Sequence, residues 1–512
     1  MNKFIKISLI LIIVLNIFFS MWYVLHNDIF FHTDIARDFL LLDDLAKRKL
    51  VLIGPRSSGP SGFYHGPAWM YLNYPAFLIG NGNPITVGWF WILLNLIFLT
   101  SSFIVAKKLF NSKTALIFVA LLSLFPSIPD PTKNWLNGYY NPFGAMFLIP
   151  FYFYCIITYG RKLHKKWLVL ALLLNGFMFQ FQVAFGGPLL ILTSLFVIYK
   201  IVKKRLYSHL LAFLILLIPF STYIIFDLRH NFSHVKAITN LFNDPYKDKI
   251  PFLEIVKQRL GMLNMTGMHF FREPHDVFGL VYAYAIAFGI FIAIKVKTIK
   301  EKLPYQLFLY IYIGYFILSC LHNGWLMYYY WMPIFPLVFL IFASLESFIP
   351  KIIYYTLLFV CLVSNMFISV NYAKQSANFI GKNQDSWKFE SSVAETVFKD
   401  ANGKEFGFFI YSPDIFAYSS KYPFIYQERL NPQTKMHIYE RLPLTYLIIA
   451  PPPKDKPWMT GDWWKTNKIG IKQTPIKSWD FDNGYKIEKY LLTNKDLKSP
   501  MDQNLNDWIY FR

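Results

Sequence analysis

Apolar runs long enough to cross about 30 Å of hydrocarbon recur through the first 371 residues. Short basic clusters separate several of them: KKLFNSK (107–113), RKLHKK (161–166), KKR (203–205) and KVKTIKEK (295–302). The runs lie near 4–26, 85–106, 114–129, 142–159, 167–184, 186–201, 208–226, 277–295, 305–321, 326–347 and 352–371. Such segments predict a polytopic α-helical membrane protein of about eleven transmembrane helices, because a spanning segment must satisfy its own backbone hydrogen bonds. AFGGP (184–188) marks a very tight turn between two of them. Residues 4–26 read as a retained first helix, since the run is long, has no small-residue cleavage site and is followed by further spans.

With the amino terminus inside, this count puts all four basic clusters on the cytoplasmic side. The formal net charge of +21 is then a topology signal and not the footprint of a nucleic-acid partner. The expected location is the cell membrane (plasma or inner), with a cytoplasmic amino terminus. Of the 14 acids before residue 372, all except Glu301 and Glu346 fall in outside loops or at their edges. Acids contribute little to orientation, so solvation of the longer loops accounts for most of them. Cys155, Cys320 and Cys361 all lie in apolar segments, which indicates neither a disulfide framework nor a thiolate metal site.

Residues 27–84 form the first outside loop. DIARDFLLLDDLAKRKL has helical spacing, with Ile35, Phe39, Leu42 and Ala46 on one stripe, and predicts a helix along the membrane surface. GFYHGPAWMYLNYPAFLIG (62–80), broken by Pro67 and Pro75, is too short to span. The membrane domain therefore covers 1–371. From 372 to 512 the composition becomes that of an ordinary domain, with 20 basic and 16 acidic residues. EFGFFIYS (405–412), TYLIIAPP (445–452) and KIEKYLLT (486–493) read as strands, and SWKFESSVAETVFKDANG (386–403) as a helix ending at Gly403. This is a small extracytoplasmic α/β domain without a recognisable chemical motif.

Four outside segments carry candidate chemistry: HTDIARD (32–38), GPRSSGPSGFYHGP (54–67), PDPTKNWLNGYYNP (129–142) and FDLRHNF (226–232). Positive charge suited to a phosphate comes from Arg56, Lys133 and Arg229, with Arg favoured for bidentate donation. Each would equally meet anionic lipid headgroups.

An acidic motif after helix one, a His-Pro-Pro-like segment followed by aromatics (YHGPAWMYL), Asn141-Pro142 after the third span and a late aromatic-proline segment (YYYWMPIFPLVFL, 328–340) occur in that order. In these features residues 1–345 resemble the bacterial relatives of the protein O-mannosyltransferases, glycosyltransferase family 39, and the related aminoarabinose transferase. The resemblance implies a GT-C fold and inverting transfer of a sugar from a polyprenyl-phosphate donor to a lipid, glycan or protein acceptor outside the membrane. It makes Asp34 the catalytic base. The family's second acid of that motif is replaced by Ile35, with Asp38 one helical turn further on as the substitute. Asp130 resembles the family's second acid and would orient the acceptor or a cation. His65, in the His-Pro-Pro position but followed by Gly66, either donates to a phosphate or anchors at the interface. His230 is an accessory phosphate group, and Tyr64 and Asn141 are substrate-contacting positions.

One base is chemically sufficient, because a lipid phosphate leaves without protonation. Asp34 is otherwise read as a helix cap or a partner for Arg37. A divalent cation would draw on Asp34, Asp130, His65, Glu273 and His275, but no short ligand spacing supports a dedicated metal site. The alternative functions are a transporter or flippase for a lipid-linked sugar and a receptor anchored by its membrane part. The spans hold few polar groups beyond Gln180 and Gln182, which argues against a transport path.

Overall fold

A computed structural model describes residues 3–57, 62–124, 138–243, 250–268, 270–271, 276–296, 298, 301–322, 324, 326–413, 416–502 and 504–505. In chain order the helices are α1 Lys3–Ser20, α2 Thr33–Arg48, α3 Ala68–Ile79, α4 Pro84–Leu109, α5 Ser112–Leu122, α6 Pro142–Lys162, α7 Lys165–Phe181 and α8 Val183–Lys204. They continue with α9 Leu217–Arg229, preceded by a 3-10 stretch Tyr207–Leu216, then α10 Ser233–Asn243, α11 Phe252–Met268, α12 Asp276–Val296, α13 Leu303–Ser319, α14 Phe335–Ser344, α15 Lys351–Gln375, α16 Trp387–Ala401 and α17 Tyr418–Leu430. The strands are β1 Phe406–Tyr411, β2 Met436–Ile438, β3 Leu444–Ile449, β4 Lys477–Asp480 and β5 Lys486–Leu491.

Each of the eleven predicted spans overlaps helical segments where it is described, and among the described residues seven helices are long and apolar enough to cross a membrane. The chain is a multi-pass membrane protein. Ser112–Leu122, Leu303–Ser319 and Met332–Ser347 are shorter apolar helices. At about 1.5 Å per residue, α5 with its 11 residues falls well short of the hydrocarbon thickness over its described length. The helices α10 and α11 lie between the predicted spans 208–226 and 277–295 and belong to neither.

The chain divides by its internal contacts into two units: 1–21, 50–72 and 90–374, and 22–49, 73–89 and 375–512. Residues 22–49, which hold α2, and 73–89 thus group with the sheet domain rather than with the membrane helices.

In the first unit α7 packs along both α6 and α8, α14 along α5 and α6, and α11 along α12. Every residue of α14 is buried, so the carboxyl-terminal half of the aromatic-proline segment lies in the helical core. The α7–α8 break falls at Gln182, slightly before the predicted AFGGP turn. Gly186 lies where a Cβ would strike the Phe179 backbone, so the two helices meet main chain to main chain. Asn16 Nδ2 donates to Ser123 Oγ at 3.0 Å, fixing α1 near the end of α5. Arg259 on α11 is buried, and its guanidinium donates to the Gly324 and His322 carbonyls at 2.7 and 3.1 Å, just past α13.

In the second unit the sheet order is β2-β1-β3-β5-β4. β1 is parallel to β2 and β3, with Phe408 opposite Tyr446, while β5 is antiparallel to β3 and β4. α16 and Phe424 of α17 cover one face around Phe406, Phe408, Tyr446 and Ile448. Ile469 and Ile471 cover the other around Phe409, Leu447 and Tyr490. The predicted strands and helix are present, with β3 ending at Ile449 three residues short of the predicted 452, and α16 is capped by Asn402, in the left-handed region, rather than by Gly403.

Candidate active site

His32, in extended conformation, caps α2 by accepting a hydrogen bond from the Asp34 amide on Nδ1 at 3.0 Å. Asp34 therefore sits in the first turn, where the helix dipole favours an anion. Arg37, one turn on, donates from Nη1 to Asp34 Oδ1 at 2.7 Å, and from Nε and Nη2 to Asp38 Oδ1 at 3.1 and 2.9 Å. The three side chains differ in access: 40% exposed for Asp34, 12% for Arg37 and 5% for Asp38. Burial opposes the charge on Arg37, but Asp38 and Asp34 outweigh it and hold the guanidinium above its ordinary pKa. The two carboxylates share one cation, and Asp34 is the solvent-accessible member.

The rest of α2 is held within its own unit. Ile35, Phe39, Leu40, Leu41, Leu42 and Leu45 are all buried, a wider face than the single predicted stripe. It packs on α17 and not simply along a membrane surface. Asp43, also buried, binds Lys47 at 2.7 Å and Arg429 of α17 at 2.5 Å. Just before α2, the Asp28 carboxylate accepts from Ser386 Oγ at 2.5 Å and from the amides of Ile29, Lys388 and Gly381 at 2.9, 3.0 and 3.3 Å. Burial raises its pKa to about 6 against the pull of those bonds.

The second group of candidates lies in the first unit. Residues 54–57 and 63–66 pair as a short hairpin through Gly54 N to His65 O, His65 N to Pro55 O and Ser57 N to Phe63 O, at 2.9, 2.9 and 3.0 Å. Arg56 sits opposite Tyr64 and is exposed. The hairpin is tied to the helices through Gln180. The Gly66 amide donates to the Gln180 carbonyl at 2.9 Å and the Ala68 amide to Gln180 Oε1 at 3.3 Å. Gln180 Nε2 donates to Thr222 Oγ1 at 2.9 Å and to the Pro219 carbonyl. His65 is buried, and its Nδ1 accepts from the Val183 amide at 3.5 Å.

Tyr64 meets Phe226 of α9 edge to face at 6.1 Å, so the segments 54–67 and 226–232 converge. Arg229 ends α9 and is exposed. His230 stacks on Phe226 at 4.1 Å, and its Nδ1 donates to that residue's carbonyl at 2.8 Å. Asn141 is buried, its amide donating to the Phe181 carbonyl at 2.7 Å, a bond between α6 and α7.

Two residues not singled out from the sequence complete this cluster. Asp227 Oδ1 accepts from both the amide and Nδ1 of His234, at 3.0 and 2.9 Å. The imidazole is ringed by Phe63, Tyr64, Tyr223 and Phe226. Burial lowers the His234 pKa despite Asp227, which disfavours the charged ring, and its Nε2 has no hydrogen-bond partner among the described residues. Asp227 stood within the FDLRHNF motif; nothing in the sequence around His234 marked it.

Asp130 and Lys133 lie outside the described residues, as do Glu273 and His275. Among the described residues no three His, Cys, Asp or Glu side chains gather as metal ligands would. Cys155, Cys320 and Cys361 are buried and unbridged.

No protein-family model matches the sequence, and no curated protein matches it. The structure is similar to that of ArnT, the aminoarabinose transferase of Cupriavidus metallidurans, in its apo state: 10% identity over 97% of this chain and 99% of that one, with a TM-score of 0.54. ArnT bound to undecaprenyl phosphate matches at 10% identity over 98% and 100% of the two chains, with a TM-score of 0.47. The archaeal oligosaccharyltransferase AglB of Archaeoglobus fulgidus, in complex with an inhibitory peptide and a dolichol-phosphate, matches at 12% identity over 83% and 64%, with a TM-score of 0.42. The likeness to apo ArnT shows the fold. The chain shares that fold, a helical membrane part followed by a small C-terminal sheet domain.

Proposed function

We propose that this protein is a membrane glycosyltransferase that moves a sugar from a polyprenyl-phosphate donor to an acceptor hydroxyl on the extracytoplasmic side, with inversion. The observation that carries the reading is the half-exposed Asp34 carboxylate, capped by His32 and gripped by Arg37, on a chain with the fold of an aminoarabinose transferase.

In this reading the acceptor oxygen bonds to the anomeric carbon on the face opposite the phosphate. The bond from that carbon to the phosphate oxygen breaks, and its electron pair departs with the lipid phosphate. The acceptor's proton passes to Asp34. Arg37 fixes the carboxylate's orientation, and Asp38, spent on Arg37, is a positioning group. Arg56 and Arg229 supply cations for the phosphate, with Lys133, His65 and His230 as accessory groups. Asp130 orients the acceptor or a divalent cation, while Tyr64 and Asn141 shape the substrate's surroundings.

The transporter reading has one feature in its favour, the glutamines at the α7–α8 break. Gln180 is engaged by its amide partners, and only Gln182 has both amide atoms buried without a partner among the described residues. A single such group is slender support for a substrate path.

Mass spectrometry of glycans and glycolipids from cells with and without the gene tests the proposal. A modification that disappears on deletion and returns with the wild-type gene but not with Asp34→Asn supports it. An unchanged profile overturns it.

A further inference from the structure

Where β1 and β3 finish, the chain leaves in opposite directions. After Tyr411 it turns to α17, on the face covered by α16. After Ile449 it passes through Pro451–Pro453 to the turn Trp464–Ile469, a rare π-helix, on the opposite face. Two neighbouring parallel strands with diverging exits leave a crevice at their carboxyl ends, the position at which open α/β sheets hold ligands. Here a cavity of about 450 Å³ opens at the end of β1, walled by Ile410, Tyr411 and Ser412 and by the segment that follows β3.

Its walls are unlike an ordinary surface. Tyr411 and Trp464 form an aromatic side with ring centroids 5.2 Å apart. Trp458 and Trp463 stand on the rim, 71% and 66% exposed. Beside them Lys468 is ion-paired with Asp502 and also reaches over the Trp463 ring at 5.9 Å. Two indoles left in water at one opening cost hydration free energy that an occupant would recover.

We propose that this cleft binds a saccharide. A pyranose offers an apolar C–H face to lie on an indole and a rim of hydroxyls, each both donor and acceptor. Exposed tryptophan faces beside a fixed ammonium–carboxylate pair match both halves of that surface. A lipid tail would use the rings but offer no hydrogen bond to the Lys468–Asp502 pair it desolvates. A proline-rich peptide would likewise use the aromatic faces, with no need of the ion pair. The inference stands on the sheet domain alone, and its readout is binding, so it succeeds or fails independently of the transfer reaction.

The test uses the full chain in detergent on an array of immobilised saccharides, followed by titration calorimetry with the best-retained one. Trp458→Ala and Trp463→Ala alter exposed side chains, and equal thermal unfolding temperatures would establish that both variants fold. The expected result is saturable binding by wild type, weakened about tenfold or more by Trp463→Ala and reduced by Asp502→Asn. The inference is overturned if wild type retains no saccharide, or if all three variants bind as wild type does. It is also overturned if a proline-rich peptide binds with Trp463 dependence while saccharides do not.

Discussion

Arg37 reaches Asp34 at 2.7 Å with one nitrogen while its other edge holds the buried Asp38. The arrangement separates two acids that look alike in the sequence. Removing Arg37 would take from the buried Asp38 the cation it is paired with, so Arg37→Leu should lower stability by about 3–5 kcal/mol, the range for breaking a buried pair. Asp34→Asn, at an exposed position, should cost less than about 1 kcal/mol. Chemical denaturation of the detergent-solubilised chain measures both.

A second prediction concerns pH. Glu390 is buried on α16, accepting from Ser420 Oγ and Tyr485 OH, both at 3.2 Å, and burial pushes its pKa up to about 8. Asp28 is raised in the same way, to about 6. A carboxyl whose folded pKa is raised binds its proton more tightly in the folded state. Its stabilisation is complete below the unfolded pKa and is lost as pH rises through the folded value. Stability should therefore fall between about pH 4 and 8, by up to about 1.4 kcal/mol per pH unit for each proton. Glu390→Gln should flatten the slope most above pH 6, where Asp28 has already titrated. A slope unchanged by that substitution would contradict the assignment.

The hairpin that carries Arg56 and His65 gives a third. A Cβ on Gly54 would strike the Gly66 carbonyl, and one on Gly66 would strike the Gln180 amide. Backbone yields less readily than a side chain, so Gly54→Ala should be the more damaging. Each should cost about 1–3 kcal/mol, read as a fall in unfolding temperature.

The Asp227–His234 bond supports a fourth. His234→Phe keeps a ring among Tyr64, Tyr223 and Phe226 but loses the donor to Asp227. It should cost about 1–3 kcal/mol through the carboxylate left under-bonded. Because burial lowers the His234 pKa from its ordinary value, any inflection this imidazole gives an activity profile should lie on the acid side of a free histidine's. Comparing wild-type and His234→Phe pH profiles checks this.

Helix positions in the membrane part were legible because hydrocarbon thickness fixes run length, and the sheet's main strands because apolar runs end at polar or proline boundaries. Less legible were elements whose character depends on what covers them. The burial of α2 comes from α17, far along the chain, and Arg259 looks like a surface arginine until the carbonyls beyond α13 surround it. β2 is three residues long and gains its strand character only by pairing with β1. At the candidate site, Asp34, Arg56 and Arg229 could be picked out by charge and position. The capping role of His32, the shared Arg37 and the Asp227–His234 bond needed the folded chain.

The central claim is that Asp34 takes the acceptor's proton. If the proposed transfer holds, turnover by the purified protein with the polyprenyl-phosphate sugar that the glycan profile names should fall about 10²–10⁴-fold in Asp34→Asn, with the unfolding temperature little changed. An Asp34→Asn protein that transfers sugar at close to the wild-type rate would contradict the account.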